Sequence, residues 1–130
     1  MFTKYSVNFE EYAHRHFIKK FAKKYGRSWD ITIEALVREF QSFDVILEKS
    51  IAEIIAKDFD IKIIKTEFSI AGTKKSRHGS GNRCIVAMHN EKKLINVLLV
   101  YHKNDLEGGN ETAKSKKIIK ENYQSYHHLV

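Results

Sequence analysis

From Lys74 to Met88 the chain reads "KKSRHGSGNRCIVAM", which brings Lys74, Lys75, Arg77, His78 and Arg83 into one Gly/Ser-rich hairpin signal that opens an apolar run. A solvated turn needs only polarity, whereas this much positive charge suits a polyanion. A second group, "YHK" at Tyr101, His102 and Lys103, closes the apolar run "KLINVLLV". Guanidinium groups clamp phosphates with paired donors, and imidazoles exchange protons near neutral pH. Together these side chains suit a site that holds a polyanion.

Other chemistries fit less well. His14 and His16 are two apart, and His127–His128 lies at the C-terminal end, so neither pair has a third partner at metal-ligand spacing. "EEYAHRH" lacks the HExxH arrangement. "GTKKSRHGSG" precedes a strand signal rather than a helix, and is neither a P-loop nor a dinucleotide fingerprint. No Ser/His/Asp order stands out. The pattern calls for no metal and no cofactor.

The chain has 130 residues, one domain's worth (1–130), with 42% hydrophobic and 12% aromatic residues and no proline. Its formal charge of +7 favours polyanionic partners such as nucleic acid. A basic surface kept for solubility would produce the same charge. A single cysteine, Cys84, excludes an internal disulfide and reads as a small buried apolar residue of a reducing cytoplasm. No signal-peptide core and no apolar run long enough for a bilayer are present, so no membrane partner is expected.

The elements that must position these groups follow from periodicity. "YSVNF" reads as a first strand, and Asn8 with Glu11 as a helix start. Phe9, Ala13, Phe17, Phe21 and Tyr25 recur at helical spacing, with Lys19, Lys20, Lys23 and Lys24 covering much of the rest and Gly26 as the stop. A second helix, capped by Ser28 or Asp30, carries Trp29, Ile33, Leu36, Val37 and Phe40. "DVILEKSIAEIIAKDF" continues with helical spacing through Leu47, Ile51, Ile54 and Ile55. Then "IKIIKTEFSIAG", "NRCIVAMHN" and "KLINVLLVYHK" read as strands, "LEGGNE" as a loop and "ETAKSKKIIKENYQSY" as a basic terminal helix. The expected fold is α+β, with two or three N-terminal helices packed on one face of a small curved antiparallel sheet, and a C-terminal helix. The other face of that sheet could stay open.

The stretch Phe68–Leu106 resembles the second half of toxins of the RelE/ParE superfamily, most nearly the HigB/RelE branch. The resemblance rests on the basic hairpin Lys74–Gly81, Arg83 opening a strand, the charged turn Asn90–Lys93, the apolar run Leu94–Val100 and the exit Tyr101 to Asp105. It implies a RelE-like α+β domain. It also implies a type II toxin that inhibits translation by metal-independent endoribonuclease cleavage of mRNA on the ribosome, and that is neutralised by a cognate antitoxin. Arg83 then matches the phosphate-clamping arginine, and His102, Tyr101 and His78 are the candidates for proton transfer or stacking. Lys74, Lys75, Arg77 and Lys103 are candidates for RNA-backbone contact, and the basic first and last helices for ribosomal RNA. No glutamate stands at a matched place, so the general base is left open. Adjacent strand residues point to opposite faces, so Tyr101 and His102 can share a site only if the strand ends between them. The alternatives are a ParE-like gyrase inhibitor without enzymatic activity, a catalytically degenerate relative, or a basic RNA-binding domain. Induced expression of the wild type beside Arg83→Ala separates these readings: growth arrest with cut mRNA, lost in the variant, marks the ribonuclease.

Overall fold

The computed structural model describes residues 4–106 and 109–130, so part of the loop expected at "LEGGNE" lies outside the described residues. Five strands form one sheet in the order β1-β5-β4-β3-β2. They are β1 (Ser6–Phe9), β2 (Ala52–Lys57), β3 (Ile61–Phe68), β4 (Asn82–His89) and β5 (Leu94–His102). Strands β2 to β5 pair antiparallel, while β1 lies parallel to β5 with Ser6 opposite Leu94 and Phe9 opposite Val97. The sheet is therefore mixed, not antiparallel throughout. Parallel pairing requires a long crossover, and the early helices supply it by carrying the chain from one sheet edge to the other.

Those helices are α1 (Glu11–Ala13), a π-helical turn His14–Ile18, α2 (Lys19–Tyr25), α3 (Arg27–Gln41) and α4 (Phe43–Leu47). Asn8 does not cap the first one. It sits in β1, and its Nδ2 donates to Asn96 Oδ1 at 2.6 Å. Gly26, at φ +55° and ψ −123°, ends α2 in a conformation that a side chain resists, and α3 begins directly after it. In α3, Trp29, Thr32, Leu36 and Phe40 are buried, the stripe that a 3.6-residue period aims at the sheet.

Helix α4 stops at Leu47, and the expected continuation through Ile55 is instead strand β2. The misreading has a local cause. A bulge between Ile54 and Ala56 shifts the register against β3, so the apolar residues lose strict alternation and imitate helical spacing. The following turn is fixed by Asp58, whose Oδ1 accepts from the backbone N–H groups of Asp60 (2.8 Å) and Ile61 (2.6 Å).

Both faces of the sheet are covered, contrary to the expectation of one open face. Helices α1 to α4 pack on one face around Phe40, Phe43, Phe68, Val86 and Val97. On the other, α6 (Glu111–Asn122) and a 3-10 segment Gln124–Leu129 pack on Ile63, Ile85, Leu99 and Tyr101 through Ile119, Tyr123 and Tyr126. A short α5 (Arg77–Ser80) stands where a plain hairpin was expected, and a 3-10 turn Lys103–Asp105 follows β5. Strands β4 and β5 are consequently buried along nearly their whole length, which explains their unbroken apolar runs. Among the described residues, no helix is long and apolar enough to cross a membrane.

Four tyrosines of these cores resist ionisation. Burial raises Tyr5 to about 12, helped by its hydrogen bond to Asp44, and burial also raises Tyr101, Tyr123 and Tyr126. A raised pKa in the fold contributes stability that is complete below the unfolded value of 10.0 and is lost as pH rises from there towards the folded value. The urea midpoint should therefore fall as pH rises above about 10, in step with tyrosinate absorbance. A midpoint that stays flat while the tyrosines titrate would contradict these burials.

Candidate active site

Register decides which side chains can meet. Glu67 lies opposite Arg83, and Arg83 opposite Tyr101, so three neighbouring strands send these groups to the α6 face. Lys65 precedes Glu67 by two and shares that face, opposite Glu53 of β2. His78 of α5 reaches the same edge, with Nδ1 2.9 Å from Glu67 Oε1. The α5 turn that presents it is capped by Ser76, whose Oγ accepts from Gly79 N–H at 2.9 Å.

The cluster is closed from above by the first residue of α6. Tyr101 donates its hydroxyl to Glu111 Oε2 at 2.7 Å, and Lys65 Nζ lies 3.7 Å and Arg83 Nε 3.9 Å from that same oxygen. Lys65 also donates to Thr112 Oγ1 at 3.0 Å and lies 3.6 Å from Glu53. Asn110, in the left-handed region at φ 51°, caps α6 by accepting from Ala113 N–H and so aims its first turn at the sheet.

Arg83 therefore does not stand on an open β-surface. It is 4% exposed, and its Nη1 donates to Asn82 O at 3.1 Å. Tyr101 is buried too, and burial together with Glu111 raises its pKa, so it serves as a fixed hydrogen-bond donor and has no free ring face for a base to stack on. His78, with 81% of its side chain exposed, and Glu53 are the members of the cluster most open to solvent. Formally, Arg83 and Lys65 supply two positive charges against the three carboxylates of Glu53, Glu67 and Glu111.

The remaining expected site residues scatter. His102 follows Tyr101 on β5 and pairs with Asn82, so it faces the opposite side of the sheet, towards Lys20 and Lys24. Arg83, Tyr101 and His78 come together; His102 does not. Arg77 is not a free phosphate contact: it forms a forked pair with Glu39 of α3, one arm at 2.9 Å, which tethers the basic loop and raises the guanidinium pKa. Lys74, Lys75 and Lys103 are exposed, and Lys103 N–H donates to Gly81 O at 2.8 Å. Cys84 is buried and its thiol pKa is pushed up by burial, as befits an inert core residue.

Sequence reasoning missed Glu67, Lys65 and Glu111. A signal for the first two was present, since "KTE" places two charges at alternating positions inside an otherwise apolar strand, and hence on one face. Glu111 carried no such signal, because its role depends on where α6 docks. Comparison with family models, with curated proteins and with solved structures finds no match to this chain.

Removing the Glu111 carboxylate leaves the Tyr101 hydroxyl buried without its acceptor and the Arg83 guanidinium without its nearby counter-charge. Glu111→Ala should cost about 1–3 kcal/mol in urea unfolding. Glu111→Gln should cost less, because an amide oxygen still accepts from Tyr101. Equal stability of wild type and Glu111→Ala would show that the carboxylate does not hold α6 down.

Proposed function

We propose that this protein is a toxin of the RelE/ParE kind that inhibits translation by cutting mRNA. The supporting observation is the alignment of Glu67, Arg83 and Tyr101 across three strands with His78 bonded to Glu67. That arrangement sets a carboxylate–imidazole pair on the strand next to the arginine's and on the same sheet face. Glu67 is then the general base that cleavage needs beside the Arg83 cation.

The chemistry follows from these groups. Glu67, or His78 oriented by it, accepts the proton of a 2′-hydroxyl. The O2′–P bond forms and the P–O5′ bond breaks, leaving a cyclic phosphate on one product and a 5′-hydroxyl on the other. His78 is the group most open to solvent, and it returns a proton to the departing oxygen. Arg83 and Lys65 stabilise charge on the crowded phosphorane. For a phosphate to reach them, the Glu111 carboxylate must give up its seat, which also removes one of the three negative charges. The exposed lysines at Lys19, Lys20, Lys23, Lys24, Lys74 and Lys75 supply non-specific attraction for ribosomal RNA. A cognate antitoxin would act by keeping α6 and its carboxylate in place or by covering the basic surface.

A second reading, a ParE-like or degenerate module that binds without cutting, is favoured by the burial of Arg83 and by its engagement with Glu111.

Induced expression in a bacterium separates the two. The account expects growth arrest with mRNA cut in translated regions. It also expects at least about a hundredfold loss of cleavage in Arg83→Ala and in Glu67→Gln, the scale of a lost acid–base or phosphate-stabilising group. Arrest with intact mRNA and blocked gyrase would replace it with the second reading.

A further inference from the structure

The seat of the Glu111 carboxylate is built of donors that this carboxylate satisfies only in part. Arg83 carries the clearest sign. Its side chain is 5% exposed, yet among the described residues its one hydrogen bond runs from Nη1 to the neighbouring Asn82 O at 3.1 Å. Its Nε lies 3.9 Å from Glu111 Oε2, beyond hydrogen-bond reach. A buried guanidinium with N–H groups left over is unfavourable, and an acceptor that meets them gains accordingly.

Lys65 stands in the same position. Its Nζ donates to Thr112 Oγ1 at 3.0 Å, while Glu53 at 3.6 Å and Glu111 at 3.7 Å supply charge without a hydrogen bond. Tyr101 alone is met directly by Glu111, through its hydroxyl at 2.7 Å. A side chain tethered to α6 thus brings one oxygen, Oε2, to donors on three strands. The Glu111 side chain is 22% exposed, so rotation alone turns its carboxyl out to solvent and leaves the seat open. Helix α6 stays docked meanwhile, held at its far end by Ile119 and by the Tyr123 hydroxyl, which donates to Leu98 O at 2.7 Å.

Charge selects the occupant. With Glu111 in place, Arg83 and Lys65 face the carboxylates of Glu53, Glu67 and Glu111. An incoming monoanion that displaces Glu111 restores that balance, whereas a dianion exceeds it. A phosphate diester is such a monoanion, and its unesterified oxygens point in different directions, one towards the Tyr101 hydroxyl and another towards the guanidinium and ammonium donors. We infer that the seat takes a singly charged phosphodiester and that Glu111 is its built-in competitor. The inference rests on the proposed reading for its natural substrate, an mRNA linkage, but the seat itself rests on the donors. Substrate must then outcompete a tethered carboxylate, so the site is closed at rest.

The test reads anion binding apart from cleavage. Dimethyl phosphate, inorganic phosphate, acetate and chloride are titrated at matched ionic strength into the wild type, Glu111→Ala, Glu111→Gln and the exposed control Lys117→Gln. Urea unfolding and the Arg83 side-chain N–H signal in NMR are the readouts. Dimethyl phosphate should stabilise both Glu111 variants saturably and shift the Arg83 signal. Half-saturation should come at a concentration at least about tenfold lower than in the wild type or Lys117→Gln. Adding Lys65→Gln to Glu111→Gln should weaken binding at least about tenfold. Inorganic phosphate above neutral pH, where the dianion dominates, should bind more weakly than the diester. Glu111→Gln and the wild-type NMR titration carry the test if Glu111→Ala does not fold. Equal stabilisation of every variant, the uniform effect of an excluded salt, would overturn the inference. So would acetate matching dimethyl phosphate, or an Arg83 signal that no anion moves. Saturable binding by a protein that leaves mRNA whole keeps the seat and removes the ribonuclease reading; mRNA cutting without anion binding removes the seat alone.

Discussion

One carboxylate oxygen joins the last helix to the sheet. Glu111 Oε2 accepts from Tyr101 and neighbours Lys65 and Arg83, so it answers polar groups on three different strands at once. Helix α6 buries only Ser115 and Ile119 fully, a small apolar contribution for an element that must cover half of a sheet face. Its docking depends correspondingly on the polar contact at its first turn and on the aromatic segment that follows it. Without this cover, β4 and β5 would present apolar residues to water along one whole face. A buried guanidinium is tolerated there only because acceptors meet it, and the same acceptors govern whether a phosphate can take their place.

The far end of that face is secured differently. Tyr126 receives Asn96 Nδ2 at 2.9 Å and lies 2.7 Å from His89 Nε2, and Asn96 also donates to Glu10 at 2.6 Å. Burial lowers the His89 pKa, which keeps the ring neutral within this network. The two ends of the C-terminal cover thus use opposite means, charge at Glu111 and neutral hydrogen bonds at Tyr126.

Much of this architecture was legible in the chain. The unbroken apolar runs of β4 and β5, the amphipathic helices around Phe21 and Phe40, and the basic loop before Arg83 all follow from composition and period. Tyr101 and His102 were expected to diverge unless the strand ended between them, and β5 does carry them to opposite faces. What was not legible depended on pairing across the sheet. The bulge at Ile54–Ala56 made a strand look helical, and β1 gave no sign that it would run parallel to β5. Arg77 looked like a phosphate contact because its partner Glu39 lies far away in sequence. Glu67 became a candidate base only once register set it against Arg83. The toxin resemblance drew attention to Arg83; the carboxylates around it come from the fold.

The two faces of the sheet differ: charged side chains cluster under α6 on one, and a pocket lined by Lys20 and Lys24 lies against α2 on the other. The claim on which the functional account rests is that the first of these transfers a proton from a 2′-hydroxyl. End-group analysis of mRNA incubated with translating ribosomes and the purified protein, in the presence of a chelator, tests it most directly. The account predicts fragments that end in a 2′,3′-cyclic phosphate and begin with a 5′-hydroxyl. Fragments with a 3′-hydroxyl and a 5′-phosphate, or mRNA left whole, would contradict it.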